Sequence, residues 1–159
     1  MDLPHTAPLL EVKDLVVEFP TRRGVLRALD GVSFSVAAGE VLGVVGESGA
    51  GKSLTGASII GLLEPPGRIA SGGIWFDGQR IDNLDSEGLR RLRGRHIGAI
   101  FQDPLTSLNP LYSVGKQLTE TIQAHLPVSD QEALQRAIGL LQDTGIPAAA
   151  ERIDHYPHQ

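Results

Sequence analysis

Apolar and polar residues first alternate in part between Leu9 and Phe19 (LLEVKDLVVEF). Glu11, Lys13 and Glu18 fall among the β-branched and apolar positions as they would on a half-exposed strand. Pro20 and the polar Thr-Arg-Arg-Gly that follows predict a turn. A second strand is expected from about Val25 to Val36. Its end alternates cleanly, with Val32, Phe34 and Val36 on one side and Ser33 and Ser35 on the other. Ala37-Ala38-Gly39 breaks that pattern. Val41 to Val45 (VLGVV) is almost wholly apolar and ends at glycine, which predicts a strand buried on both faces. A glycine-rich turn, Gly46 to Gly51, follows at once. Lys52 to Leu63 then runs apolar on nearly all sides, a buried helix stopped by Glu64-Pro65-Pro66-Gly67.

Further on, Gly73 to Gly78 (GIWFDG) predicts a short aromatic strand with a turn, and Ser86 to Arg93 a polar helix. His96 to Phe101 (HIGAIF) reads as another buried strand, closed by Gln102-Asp103-Pro104. After it the period changes. Helices are expected over Ser113 to Ala124 and Ser129 to Thr144. Ser129 with Glu132 three residues on is a capping box, in which the serine oxygen accepts a first-turn N–H while the glutamate reaches back. Gly145 and Pro147 end the second helix. The pattern is a β-rich α/β front followed by a helical section from near Asp103, without repeats or low-complexity tracts.

Composition narrows the options. A chain of 159 residues, 41% apolar and 21% charged, fits one globular domain, and its 19 glycines and 10 prolines imply many loops. The most apolar stretch, Ser58 to Leu63, is far too short to span a bilayer. The opening MDLPHTAPLL lacks the basic start and apolar core of a signal peptide. With no cysteine, disulfides, thiolate metal sites and cysteine catalysis are excluded. A net charge of −5 argues against a nucleic-acid partner. The short patch of Arg90, Arg91, Arg93 and Arg95 suits the solvated face of a helix. His155 and His158 do not have the His-Glu-x-x-His spacing of a metalloprotease.

Gly46-Glu47-Ser48-Gly49-Ala50-Gly51-Lys52-Ser53 fits the phosphate-loop pattern G-x-x-x-x-G-K-[ST]. A triphosphate carries several negative charges and needs many donors in a small concave space. Glycines let the backbone fold tightly with its N–H groups pointing inward. The helix opening at Lys52 adds the positive end of its dipole. Lys52 brings a mobile full charge to the β- and γ-phosphates, and the Ser53 hydroxyl is a ligand for Mg²⁺. An accidental glycine-rich turn would not need a buried strand before it and a helix after it, and here both are expected.

The flanks of the loop are specific. Leu29 to Ser53 (LDGVSFSVAAGEVLGVVGESGAGKS) closely resembles the ATP-binding-cassette (ABC) ATPases. The resemblance implies that Phe19, near the end of the first strand, stacks on adenine. It also implies that Gln102, within Phe101-Gln102-Asp103-Pro104, is the Q-loop glutamine that reaches Mg²⁺ and the attacking water. An amide suits that role, because its carbonyl can ligate a hard cation while its NH₂ donates elsewhere. Lys52 and Gln102 are thus the candidate catalytic residues. Phe19, Gly46 to Ser53 and Leu54 are the candidate nucleotide contacts, and Ser53 and Gln102 the candidate Mg²⁺ ligands. One departure stands out: many members of the family carry a second hydroxyl directly after the loop serine, whereas this chain has Leu54 there and Thr55 only after it.

Gln102 to Gly115, with Gln117, Glu120 and the closing His155-Tyr156-Pro157-His158-Gln159, looks like the branch that powers import of peptides, nickel and related solutes. The fold implied is a P-loop NTPase of the ABC type. A β-rich N-terminal subdomain and the start of the RecA-like core would occupy residues 1–102, and the Q-loop and the start of a helical subdomain residues 103–159. The implied cofactors are ATP and Mg²⁺. The implied partners are transmembrane permease subunits, a second ABC ATPase subunit and, indirectly, a solute-binding protein, with the chain peripheral at the cytoplasmic face of the inner membrane. In that family the signature motif, the acidic Walker B strand and the switch histidine follow the YPHQ stretch, and none occurs in this sequence. These residues are therefore expected to bind nucleotide without turning it over, as the front of a transporter motor or as a stand-alone binding module. A DNA-repair cassette, which would need a basic surface or zinc-binding cysteines, is disfavoured.

Overall fold

The structure, a computed structural model, describes residues 7–101 and 107–159. It divides into two compact units, Met1–Arg90 and Arg91–Gln159.

The first unit is built on a four-stranded antiparallel sheet in the order β2-β1-β3-β4. The strands are β1 (Leu10–Thr21), β2 (Gly24–Val36), β3 (Arg68–Phe76) and β4 (Gln79–Arg80). Central β1 pairs on both sides and carries Val12, Leu15 and Val17 into the core with Leu29, Ile74 and Ile81. Each such buried side chain contributes about 1.5–3 kcal/mol. The spacing from Val12 to Leu15 is three rather than two because the strand bulges at Asp14, which sits at φ 45°. The Ser33 hydroxyl holds this bulge, accepting from the Asp14 N–H at 2.8 Å and donating to Oδ1 at 3.1 Å. Opposite, Gly72 (φ 80°) leaves the room that the Lys13 and Asp14 carbonyls occupy. The alternation of Leu9 to Phe19 is only partial for this reason.

Strand β1 runs through Pro20, and only Arg22 and Arg23 form the turn to β2. Pro20 is tolerated because pairing with β3 ends at Glu18↔Arg68, so its missing N–H faces no ladder on that side. Strand β3 begins at Arg68, earlier than the aromatic run suggested. Behind it, the Asp82 carboxylate accepts from the Ile74 N–H at 2.8 Å and from Arg80 Nη2 at 2.9 Å. Burial pushes this carboxyl up, but the Arg80 hydrogen bonds, the Ile74 N–H and the Arg80 charge outweigh it and hold it below the usual range. Helix α1 (Lys52–Ile59) is shorter than the apolar run that predicted it, and α2 (Ser86–Leu92) carries a two-point Arg90–Glu87 pair.

Two expected strands are corrected. Val41–Val45 has no regular secondary structure and belongs to no sheet among the described residues, with Val41 95% and Val45 93% exposed. Among the described residues, His96–Phe101 likewise forms only the isolated bridge Arg93↔Ile97, and Ile100 is 99% exposed. A strand buried on both faces needs neighbours to pair with, and among the described residues neither segment has them.

The second unit is helical: α3 (Val114–His125), α4 (Asp130–Asp143) and α5 (Ala149–Arg152). Ser113 caps α3, accepting from the Lys116 N–H, and α4 opens on the capping box formed by Ser129 and Glu132. Small residues let the pieces approach closely. Ala133, Ala137 and Ala149 are buried, and a Cβ on Gly115 would stand 2.7 Å from the Ile153 carbonyl. The N–H groups of Val114 and Gly115 donate to the carbonyls of His155 and Ile153. Among the described residues no helix is long and apolar enough to cross a membrane.

Candidate functional site: the phosphate loop

After β2 the chain turns at Ala37–Glu40, where Glu40 accepts from the Ala37 N–H at 2.6 Å, and passes along the exposed 41–45 stretch into the loop. Within the loop the Ala50 N–H donates to the Glu47 carbonyl at 3.2 Å. Gly49 (φ 84°) and Gly51 (φ 86°) take left-handed conformations, and Gly51 is the N-cap of α1. No side chain caps that helix. Among the described residues, the N–H groups of Ser48, Gly49, Gly51, Lys52, Ser53 and Leu54 have no acceptor within the protein. They cluster at the positive end of the α1 dipole, so the turn presents donors and partial positive charge together.

Lys52 completes the arrangement. Its side chain folds back over the loop, and Nζ donates to the carbonyls of Gly46 and Glu47, each at 2.7 Å. A Cβ added at Gly46 would lie 3.3 Å from Ala50 Cβ and 4.0 Å from Lys52 Nζ, so a side chain there would intrude on the concave face. Ser53 is exposed and its hydroxyl has no partner among the described residues. The donor set suits a chain of phosphates, and a hydroxyl beside them suits a hard divalent cation.

The displaced hydroxyl of Thr55 does not substitute for one at Leu54. Thr55 is buried and donates back to the Gly51 carbonyl at 3.0 Å, while Ser58 donates to the Leu54 carbonyl at 2.7 Å. Both hydroxyls therefore serve the helix itself.

Sequence reasoning missed the support beneath the loop. Leu29 of β2 is buried, and a Cβ on Gly51 would meet its Cδ2 at 2.5 Å. Gly51 is therefore fixed twice, by its positive φ and by this contact. No local pattern marks Leu29, because the contact joins residues 22 apart and is made only when the sheet folds. Phe19 is half-buried near the end of β1, opposite Leu26. It lies two residues beyond Val17 and so on the same face of the sheet; Val17 in turn pairs with Leu29, whose side chain touches the loop. Gln102, with Asp103 to Thr106, lies outside the described residues, and Phe101 before it is 59% exposed. Tyr156 and His158 stack at 5.9 Å, and no cluster of His, Asp or Glu among the described residues could hold a metal ion.

Comparison with known proteins agrees with the geometry. The chain is 45% identical over 152 residues to the oligopeptide transport ATP-binding protein of Bacillus subtilis, covering 95% of this chain and 42% of that one. It is 46% identical over 151 residues to the dipeptide transport ATP-binding protein of Escherichia coli, covering 95% of this chain and 46% of that one. The chain thus spans about half the length of the curated relatives it matches. A dimeric ATP-binding cassette solved in a post-hydrolysis state with ADP and Pi superposes with a TM-score of 0.81 at 23% identity, over 94% of this chain and 62% of that chain, and so shares its fold. Residues 29–159 match the ABC transporter family profile, and the chain belongs to that family.

Proposed function

We propose that this chain is the nucleotide-binding front of the ATP-binding subunit of an ABC importer for peptides or related solutes. The observation that carries the reading is the loop Gly46–Ser53, with Lys52 Nζ drawn 2.7 Å from the Gly46 and Glu47 carbonyls and unspent N–H donors around it. In this reading Gly46, Glu47, Ser48, Gly49, Ala50, Gly51, Lys52, Ser53 and Leu54 surround the phosphates of ATP, and Lys52 neutralises the β- and γ-phosphates. Ser53, with Gln102, holds Mg²⁺, which when bound polarises the terminal phosphate. Phe19 stacks on the adenine. The transport assignment is supported by the peptide-transport names of the relatives. The working assembly would include a second cassette subunit and transmembrane permease subunits, with this protein peripheral at the cytoplasmic membrane face. Residues 1–102 would serve the nucleotide, and residues 103–159 the coupling to the permease.

The test is ATP binding and turnover by the purified protein with and without Mg²⁺. ATP binding that Lys52→Ala abolishes supports the site, and equal affinity in that variant overturns it. Gln102→Ala should spare most binding and weaken its dependence on Mg²⁺. Sustained turnover by these 159 residues alone would mean that a carboxylate among them serves hydrolysis.

A further inference from the structure

We infer that Gly67 is a positioning residue for base recognition, the seat on which Phe19 is held ready to stack on the nucleotide; this rests on the proposed reading of the site. Phe19 comes from β1, whereas Gly67 closes the turn that brings the chain from α1 back to β3. The Gly67 N–H donates to the Glu64 carbonyl at 2.8 Å, which pins the turn, and the next residue, Arg68, enters the ladder opposite Glu18. Glu18 in turn lies 3.5 Å from both Arg27 and Arg68, so β1, β2 and β3 are tied at this level. Gly67 is thereby brought beside the ring.

The fit leaves no space for a side chain. A Cβ on Gly67 would lie 2.7 Å from Phe19 Cε1, 2.8 Å from Cζ and 2.9 Å from the Glu64 carbonyl oxygen. The backbone at Gly67 is not in the left-handed region, so the requirement for glycine here is the ring's approach and not the φ angle. Even a methyl group must displace the outer edge of the ring. Phe19 remains half-buried, resting on the turn along one side while part of its surface stays open. The same turn follows a few residues after α1, which opens on the last two residues of the phosphate loop, Lys52 and Ser53. The chain therefore sets the distance between phosphate site and base site from one short segment, residues 52–67. An aromatic platform in fixed register with a phosphate cradle is what a nucleoside triphosphate requires and inorganic triphosphate does not.

The experiment compares ATP and inorganic triphosphate binding, by calorimetry on the full-length protein, for Gly67→Ala, Phe19→Ala and the double variant. Loss of base stacking corresponds to at least about a 5-fold weakening. Gly67→Ala should weaken ATP by that factor, leave triphosphate affinity unchanged, and add nothing in the Phe19→Ala background. If Phe19→Ala weakens ATP and Gly67→Ala does not, Gly67 has no positioning role. If Phe19→Ala itself leaves ATP affinity unchanged, the stacking reading fails first. Equal losses for ATP and triphosphate in Gly67→Ala, or losses that add in the double variant, would make the effect one of general folding and overturn the inference.

Discussion

Strand β1 and the stretch Val41–Val45 are both rich in valine and leucine, yet one is the centre of the sheet and the other lies open. Val12, Leu15 and Val17 of β1 are sealed, and its backbone pairs with β2 on one side and β3 on the other. Val41–Val45 is the more apolar of the two per residue and pairs with nothing among the described residues. The difference lies in their neighbours. One partner of β1 is local: β2 follows after a two-residue turn, whereas β3 returns antiparallel from 50 to 66 residues further along, once α1 is complete. A strand of parallel character needs partners distant in sequence. Apolar content states that a segment can be buried; only available partners decide whether it is.

The comparison breaks most sharply at Ile74. It is fully buried on β3 across from Val12, so Ile74→Ala should lower stability by about 2–5 kcal/mol, measured as a shift of the urea midpoint. A loss below about 1 kcal/mol would mean that the sheet core closes around the gap or is not the stability-determining core.

Asp82 comes next, because it satisfies a backbone donor that the core would otherwise strand. Asp82→Ala removes the acceptor of the buried Ile74 N–H and should destabilise by about 1–3 kcal/mol. The pH dependence has a definite sign. The folded carboxyl is held below its ordinary value by Arg80 and the Ile74 N–H despite burial, so the unfolded chain takes up the proton first as acid is added. Stabilisation is complete above the unfolded value of about 3.9 and fades as pH falls through the lower folded value. An acid-unfolding curve for Asp82→Asn that lacks this component confirms the assignment; an unchanged curve removes it.

The helical unit offers a smaller version of the same lesson, one in which the partner is three residues away. Ser129 accepts from the Glu132 N–H, while Glu132 accepts from the Ser129 N–H at 2.9 Å, which holds its carboxyl below the usual range. Ser129→Ala should destabilise α4 by about 1 kcal/mol, read from helical signal loss on heating. No change would mean that the packing of Ala133 and Ala137 alone sets the helix.

Distance along the chain to a partner also decides what is legible in the sequence. The capping box, the hairpin strands and the glycine loop depend on near neighbours. Ser129, Phe34 in the β2 alternation and Lys52 accordingly appear where their spacing places them. The bulge at Asp14 is visible only as a flaw in alternation, because its causes, Ser33 and Gly72, lie on other strands. Leu29 beneath Gly51 and Gly67 beneath Phe19 are not legible at all, since each contact joins segments from different elements. The buried strands expected at 41–45 and 96–101 fail for the complementary reason: their composition is apolar as read, but the pairing that composition presupposes is long-range.

The smallest expected effect is therefore the most discriminating. Val45→Thr keeps the shape of the side chain and adds a hydroxyl, so its effect reports the surroundings rather than the volume. On an open stretch the hydroxyl meets water, and the change should stay within about 0.5 kcal/mol. Inside a two-sided buried strand the same hydroxyl would have to be desolvated, at about 1–3 kcal/mol unless it finds a partner. Because Val45 is 93% exposed, the first value is expected, together with rapid hydrogen exchange at the 41–45 amides, which lack ladder partners among the described residues. A loss near about 2 kcal/mol with slow exchange would show the stretch paired and covered in solution, and the sequence pattern would then describe the strand leading into the phosphate loop better than the open conformation does.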